Sequence, residues 1–136
     1  MADISVTAAN VVPASGYKYT DGIAGETITA GQLVYLKAAD NEYYKTDNDA
    51  SATATVAGVA LNGASNGQPI RVQHGGNINP GGTVVVGTIY CSSSTEGGIA
   101  PSTDLASGDY VSVIGIGTTA SNIALNIHNS GVAVPE

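Results

Sequence analysis

Val56-Ala57-Gly58-Val59-Ala60-Leu61, then Asn62-Gly63, then Gly67-Gln68-Pro69-Ile70-Arg71-Val72-Gln73 is the stretch whose reading decides the fold. It opens on a Val- and Ala-rich run and breaks at Asn62-Gly63 and again at Asn66-Gly67, dipeptides whose residues tolerate positive φ. It resumes with Ile70 and Val72 alternating with Arg71 and Gln73. Alternation of period two puts one set of side chains on a core face and the other in water, which predicts a half-buried strand. The same grammar runs outward in both directions. Towards the N-terminus, residues 33–36 form an apolar run after the turn Ala30-Gly31, and Glu42–Lys45 is a short Tyr-bearing strand. Towards the C-terminus, Asn79-Pro80-Gly81-Gly82 is a turn, and residues 83–86, 88–90 and 110–116 read as strands. Ile123, Leu125 and Ile127 alternate with Ala124, Asn126 and His128. Within residues 110–116 the apolar phase slips between Val113 and Ile114, as a β-bulge would make it do.

Composition agrees. The chain has 136 residues, enough for one domain with a real core and no need of metal or disulfide. Phe and Trp are absent and Tyr is the only aromatic, so the core is aliphatic. Val and Ile outnumber Leu, and β-branched side chains favour strands. Gly, Ser, Thr, Asn and Asp supply the turns. The expected fold is all-β, a small barrel or sandwich of short strands.

Three segment pairs recur in the same order. Residues 30–35 resemble residues 81–86; Val56-Ala57-Gly58-Val59-Ala60 resembles Val113-Ile114-Gly115-Ile116-Gly117; residues 70–76 resemble residues 125–131. Two similar halves, about 27–76 and 78–131, would pair into one barrel or sandwich and so remove exposed edges. The Ser/Thr/Ala/Asp stretch at 47–55 and the Ser/Gly stretch at 92–107 fall at equivalent places and read as surface loops. Residues 1–25 carry too few apolar side chains for a core of their own. They read as an extended arm, an edge strand or a segment that packs on a partner, with Tyr17 and Tyr19 alternating with Lys18 and Thr20.

The formal net charge is −7, and Lys18, Lys37, Lys45 and Arg71 are the only cations. That leaves no cluster for a phosphate backbone or an anionic membrane, so neither nucleic acid nor membrane is an expected partner. No apolar stretch approaches a membrane span, and residues 1–12 lack the basic start and apolar run of a secretory signal. Cys91 is alone, so no intramolecular disulfide forms, which fits a reducing compartment during folding. Tyr90-Cys91-Ser92 offers the thiol no cation, so a buried, neutral Cys is expected.

No combination of residues reads as a reaction centre. His74 and His128 lie near the ends of corresponding strands, but neither has a third metal ligand beside it. Asp40, Glu42, Asp47 and Asp49 form the densest acidic cluster; Asp47-Asn48-Asp49 lacks the Gly and terminal Glu of a calcium loop. Gly115-Ile116-Gly117 lacks the third Gly and the following helix of a dinucleotide site. Tyr43 and Tyr44 are adjacent, so one of them can face outward as a sugar platform or an interface residue. The expectation is no enzyme, no metal and no cofactor.

The phrase "apolar-Gly-Val-Ala, turn, Gly-x-x-Ile-x-Val", carried here by Gly58-Val59-Ala60 and Gly67-Gln68-Pro69-Ile70-Arg71-Val72, resembles the small capsid-associated proteins of tailed bacteriophages. The opening Ile28-Thr29-Ala30-Gly31-Gln32-Leu33-Val34-Tyr35-Leu36 is similar too. The likeness covers about residues 27–134 and rests on short motifs of common residues; the apparent duplication departs from some members. It implies a head decoration, or cement, protein: β-rich, often trimeric, seated on the outside of the virion, clamping the major capsid protein. Such proteins often use an N-terminal arm, here Ile4, Val6, Val11, Val12, Tyr17 and Tyr19. It also implies synthesis in the host cytoplasm, and it brings no catalytic motif. The alternative expectation is a tail or fibre module that recognises a protein or glycan surface.

Overall fold

The computed structural model describes residues 3–135. The chain is all-β: one antiparallel sheet curls into a half-barrel, and among the described residues the only helical pieces are two single 3₁₀ turns, Ala8–Asn10 and Ser102–Asp104. The strands are β1 (Val11–Pro13), β2 (Lys18–Ile23), β3 (Leu33–Lys37), β4 (Glu42–Lys45), β5 (Gly58–Ala60), β6 (Pro69–Pro80), β7 (Ile89–Ser92), β8 (Ile99–Pro101), β9 (Tyr110–Gly117) and β10 (Ile123–Ala133). The order across the sheet is β4-β3-β5-β6-β10-β9-β7-β8, with β1 and β2 also on β6.

That order reads alike from either end. β3, β4, β5 and β6 have β7, β8, β9 and β10 as their counterparts, and β6 meets β10 in the middle. The hydrogen bonds match in detail. Gly31 N–H donates to Ala60 O at 2.8 Å and Ala60 N–H to Gln32 O at 2.9 Å; Gly87 N–H donates to Gly117 O at 2.8 Å and Gly117 N–H to Thr88 O at 2.9 Å. Leu33 pairs with Val59 as Ile89 pairs with Ile116, and Ala60 with Val72 as Gly117 with Ile123. Gly58 and Gly115 are counterparts for a steric reason. A Cβ on either would run into a backbone carbonyl of the next strand, Gln73 in one half and Ala124 in the other.

These registers correct two of the sequence pairings. The geometric counterpart of Gly31 is Gly87, not Gly82, so residues 83–86 are not a strand. They form the approach to β7, with Val84 buried and its N–H held by Ala120 O at 2.9 Å. Val72 corresponds to Ile123, so His74 and His128 do not occupy matching places. The slip at residues 113–114 is a bulge: β7 passes from Tyr90 to Cys91 while β9 passes from Gly115 to Val113.

Two aliphatic clusters hold the sheet. The larger brings Leu33 and Val59 of the first half against Val84, Tyr90, Ile99, Ile114 and Ile123 of the second. The smaller lies within the first half, around Ile28, Val34, Tyr43, Ile70 and Val72. Each fully buried Ile, Leu or Val contributes about 1.5–3 kcal/mol, so the larger cluster is what joins the halves.

The N-terminal segment lies along its own domain. Val11–Pro13 and Lys18–Ile23 run consecutively down one edge of β6, opposite the edge that meets β5 and β10. Between them the chain bows around Gly76, which has φ +77°. Ile4 N–H donates to Ile99 O at 2.9 Å and Thr7 N–H to Gly81 O at 2.8 Å. An extended arm, in its described part, is thus an edge of the sheet.

Candidate binding surfaces

The sequence-predicted arm residues separate into two groups. Ile4 and Val11 pack on the larger core cluster, and Val6 and Val11 close over Gly31. Those three side chains serve the fold. Val12, Tyr17 and Tyr19 face outward and are about half exposed.

Tyr17 and Tyr19 belong to the first of two surfaces. Residues 17, 19 and 21 alternate along β2 and its approach, so Tyr17, Tyr19 and Asp21 share a face, and Asp21 pairs in register with Arg71 of β6. The two rings stack with centroids 5.7 Å apart, and the Arg71 guanidinium lies 4.0 Å from the Tyr19 centroid. Arg71 Nε donates to Asp21 Oδ1 at 2.7 Å and Nη2 to Oδ2 at 3.2 Å. The guanidinium beside Asp21 holds its carboxyl below the usual range. Beside this array runs an open groove of about 590 Å³, walled by Pro13, Tyr17, Leu61 and Pro69, with Asp21 and Arg71 supplying charge. Asn62 fixes the wall: its Oδ1 accepts the Arg71 backbone N–H at 2.8 Å and its Nδ2 donates to Pro69 O at 3.2 Å.

The second surface was missed in the sequence. Leu33 and Val59, a cross-strand pair in the first half, are 0% exposed because the second half packs on them. Their counterparts Ile89 and Ile116, also a cross-strand pair, are 43% and 48% exposed. Val85 and Val86, at the turn leading into β7, are 46% and 63% exposed. Residues 84–95 and 110–135, which include these four side chains, contain no Asp, Glu, Lys or Arg in a chain of net charge −7. Duplication hid the signal: Ile89 and Ile116 look like core, and only the packing shows that the other described residues leave them about half exposed.

Tyr43 is buried in the smaller cluster. Tyr44 Oη donates to Asp40 Oδ2 at 2.5 Å, with Lys37 Nζ over the Tyr44 ring; this hydrogen bond pushes the Tyr44 hydroxyl up to about 12 and holds the Asp40 carboxyl below the usual range. Among the described residues no three His, Cys, Asp or Glu are grouped to hold a metal ion. No described helix is long and apolar enough to cross a membrane. No protein-family model matches the chain, and no curated protein matches it.

Cys91 is wholly buried, and burial pushes its thiol from the ordinary 9.0 up to about 11. A thiol reagent at neutral pH is therefore expected to label the unfolded chain and leave the folded one unlabelled. Between pH 9 and 11 the unfolded chain gives up this proton first. Its contribution to stability therefore falls as pH rises through that window. A Cys91→Ser variant compared with the parent in alkaline denaturation measures this term.

Proposed function

We propose that this chain is a non-enzymatic structural protein of a tailed-phage head, made in the host cytoplasm and seated on the outside of the shell. There it binds and stabilises the major capsid protein. The observation that carries the reading is the open, charge-free face around Ile89 and Ile116. Apolar area of this kind is what one protein surface offers another. A face without charge lets a chain of net charge −7 approach a protein without like-charge repulsion. Val12, Tyr17 and Tyr19 add outward apolar area on β1, β2 and the approach to β2. A cyclic homo-oligomer, with a trimer favoured, matches the symmetry of a shell, and many weak contacts add by avidity.

The second reading, a tail or fibre module that recognises a protein or glycan surface, draws on the Tyr17 groove. The two differ in abundance. Quantitative mass spectrometry of purified particles is expected to give a copy number in fixed ratio to the major shell protein. A handful of copies per particle would move the protein to the tail, and none would end the virion reading.

A further inference from the structure

We propose that the groove between Tyr17 and the Asp21–Arg71 pair is a binding site for a neutral pyranose sugar, wherever on a particle the protein sits. Three features of the groove select that ligand. The first is a fixed planar wall. Tyr19 is held between the Tyr17 ring and the Arg71 guanidinium, so Tyr17 and Arg71 are set relative to each other before anything binds. Pro13, Leu61 and Pro69 continue the apolar lining. A pyranose has an apolar C–H face that lies against such a wall, and a pre-set aromatic binds it with little loss of side-chain freedom.

The second feature is the polar end. Asp21 and Arg71 hold each other through two hydrogen bonds, yet both side chains stay open to solvent. A carboxylate has about four acceptor positions and a guanidinium five N–H donors, so each partner keeps capacity to spare. Free acceptors and free donors thus lie side by side. Neighbouring hydroxyls of a sugar match them, because each hydroxyl both donates and accepts. A proline-rich peptide, the other common occupant of an aromatic-lined groove, offers mainly carbonyl acceptors. It would cover the Asp21 oxygens without supplying donors, which is costly.

The third feature is charge. Arg71 is neutralised by Asp21, and the chain carries −7 overall, so an acidic sugar or a phosphate gains nothing here. Neutral hydroxyl-rich ligands remain.

The test is a ¹H–¹⁵N NMR titration of the whole chain with methyl glucoside, methyl galactoside and methyl mannoside, followed by a neutral oligosaccharide array. Sialyllactose and a polyproline peptide are the comparisons. At least one neutral sugar is expected to give saturable shifts centred on Tyr17, Asp21, Asn62 and Arg71. Tyr17→Ala is expected to weaken binding about tenfold or more, a loss of about 1.4 kcal/mol, while Tyr17→Phe keeps the ring and the affinity. Arg71→Lys loses the paired geometry and is expected to bind more weakly, with the fold intact by the same spectra. The proposal is overturned if no neutral sugar shifts these residues. It is equally overturned if Tyr17→Ala binds as the parent does, or if the polyproline peptide or sialyllactose saturates the groove in preference to every neutral sugar.

Discussion

Gly76→Ala is expected to free the β1–β2 edge from the sheet. Gly76 has φ +77°, where an L side chain is disfavoured by about 1–2 kcal/mol. Space is lacking as well. A Cβ there would run into the Gly16 carbonyl group and lie 2.5 Å from Tyr17 Cα, both of them backbone. Backbone cannot rotate aside as a side chain does, so the 14–17 bow must lift off β6. A cost of about 2–5 kcal/mol follows from adding the strain to an overpacking term of about 1–3 kcal/mol. Gln73 sharpens the effect: its Nε2 donates to Gly75 O at 3.0 Å and Asn77 O at 2.8 Å, clamping the bend in β6 that the bow follows. Hydrogen exchange is the appropriate measurement. Amides of Lys18–Ile23 are expected to lose protection, while Val59 and Ile123, in the core, keep most of theirs. Uniform loss across the sheet would mean that the edge is not a separable unit. Unchanged protection would mean that the bow does not sit where it is described.

Much of this fold was legible in the residues. Ile70 and Val72 alternate, and both are buried; Ile123 and Leu125 alternate, and both are buried. The phase slip at Val113 and Ile114 announced the bulge in β9. Other elements were misread for physical reasons. Residues 83–86 have the Val content of a strand, but Val84 is a single anchor in the core and Gly87, at φ +82°, turns the chain before β7 begins. Tyr43 and Tyr44, by contrast, face opposite ways as adjacent strand residues do: Tyr43 fills the core, and Tyr44 lies outward, partly exposed and tied to Asp40. Tyr17 and Tyr19 were visible as an outward pair. Arg71 and Asp21 were not visible as their companions, because a cross-strand pair fifty residues apart in sequence depends on the register of β2 on β6. The Ile89–Ile116 face was beyond reach for a related reason. Hydropathy says that a side chain prefers burial, and only the packing of one half on the other says which apolar pair is left over.

That leftover pair supports the second large prediction. Val59 and Ile116 are counterparts, so the same substitution at each separates folding from docking. Val59→Asp places a charge in the larger core cluster without a partner, and is expected to unfold the chain or cost several kcal/mol. Ile116→Asp places the charge in water, on the open face. Its cost to stability is expected to stay near the ~1 kcal/mol span of strand propensity. Its cost to docking is expected to be far larger, because a charge at the centre of an apolar contact must be desolvated there. A loss of about 2 kcal/mol or more, roughly thirtyfold in affinity, is the scale for a central interface residue. Ile116→Thr keeps the β-branch, removes apolar area and is expected to fall between.

The most direct measurement is the occupancy of purified heads stripped of this protein, after titration with the parent chain and with folded Ile116→Asp. The account predicts that the parent refills the heads to a fixed ratio with the shell protein while Ile116→Asp leaves them largely bare at the same concentration. Equal occupancy by the two proteins, or no binding by the parent, would contradict the claim that this chain clamps a capsid through the open face of its second half.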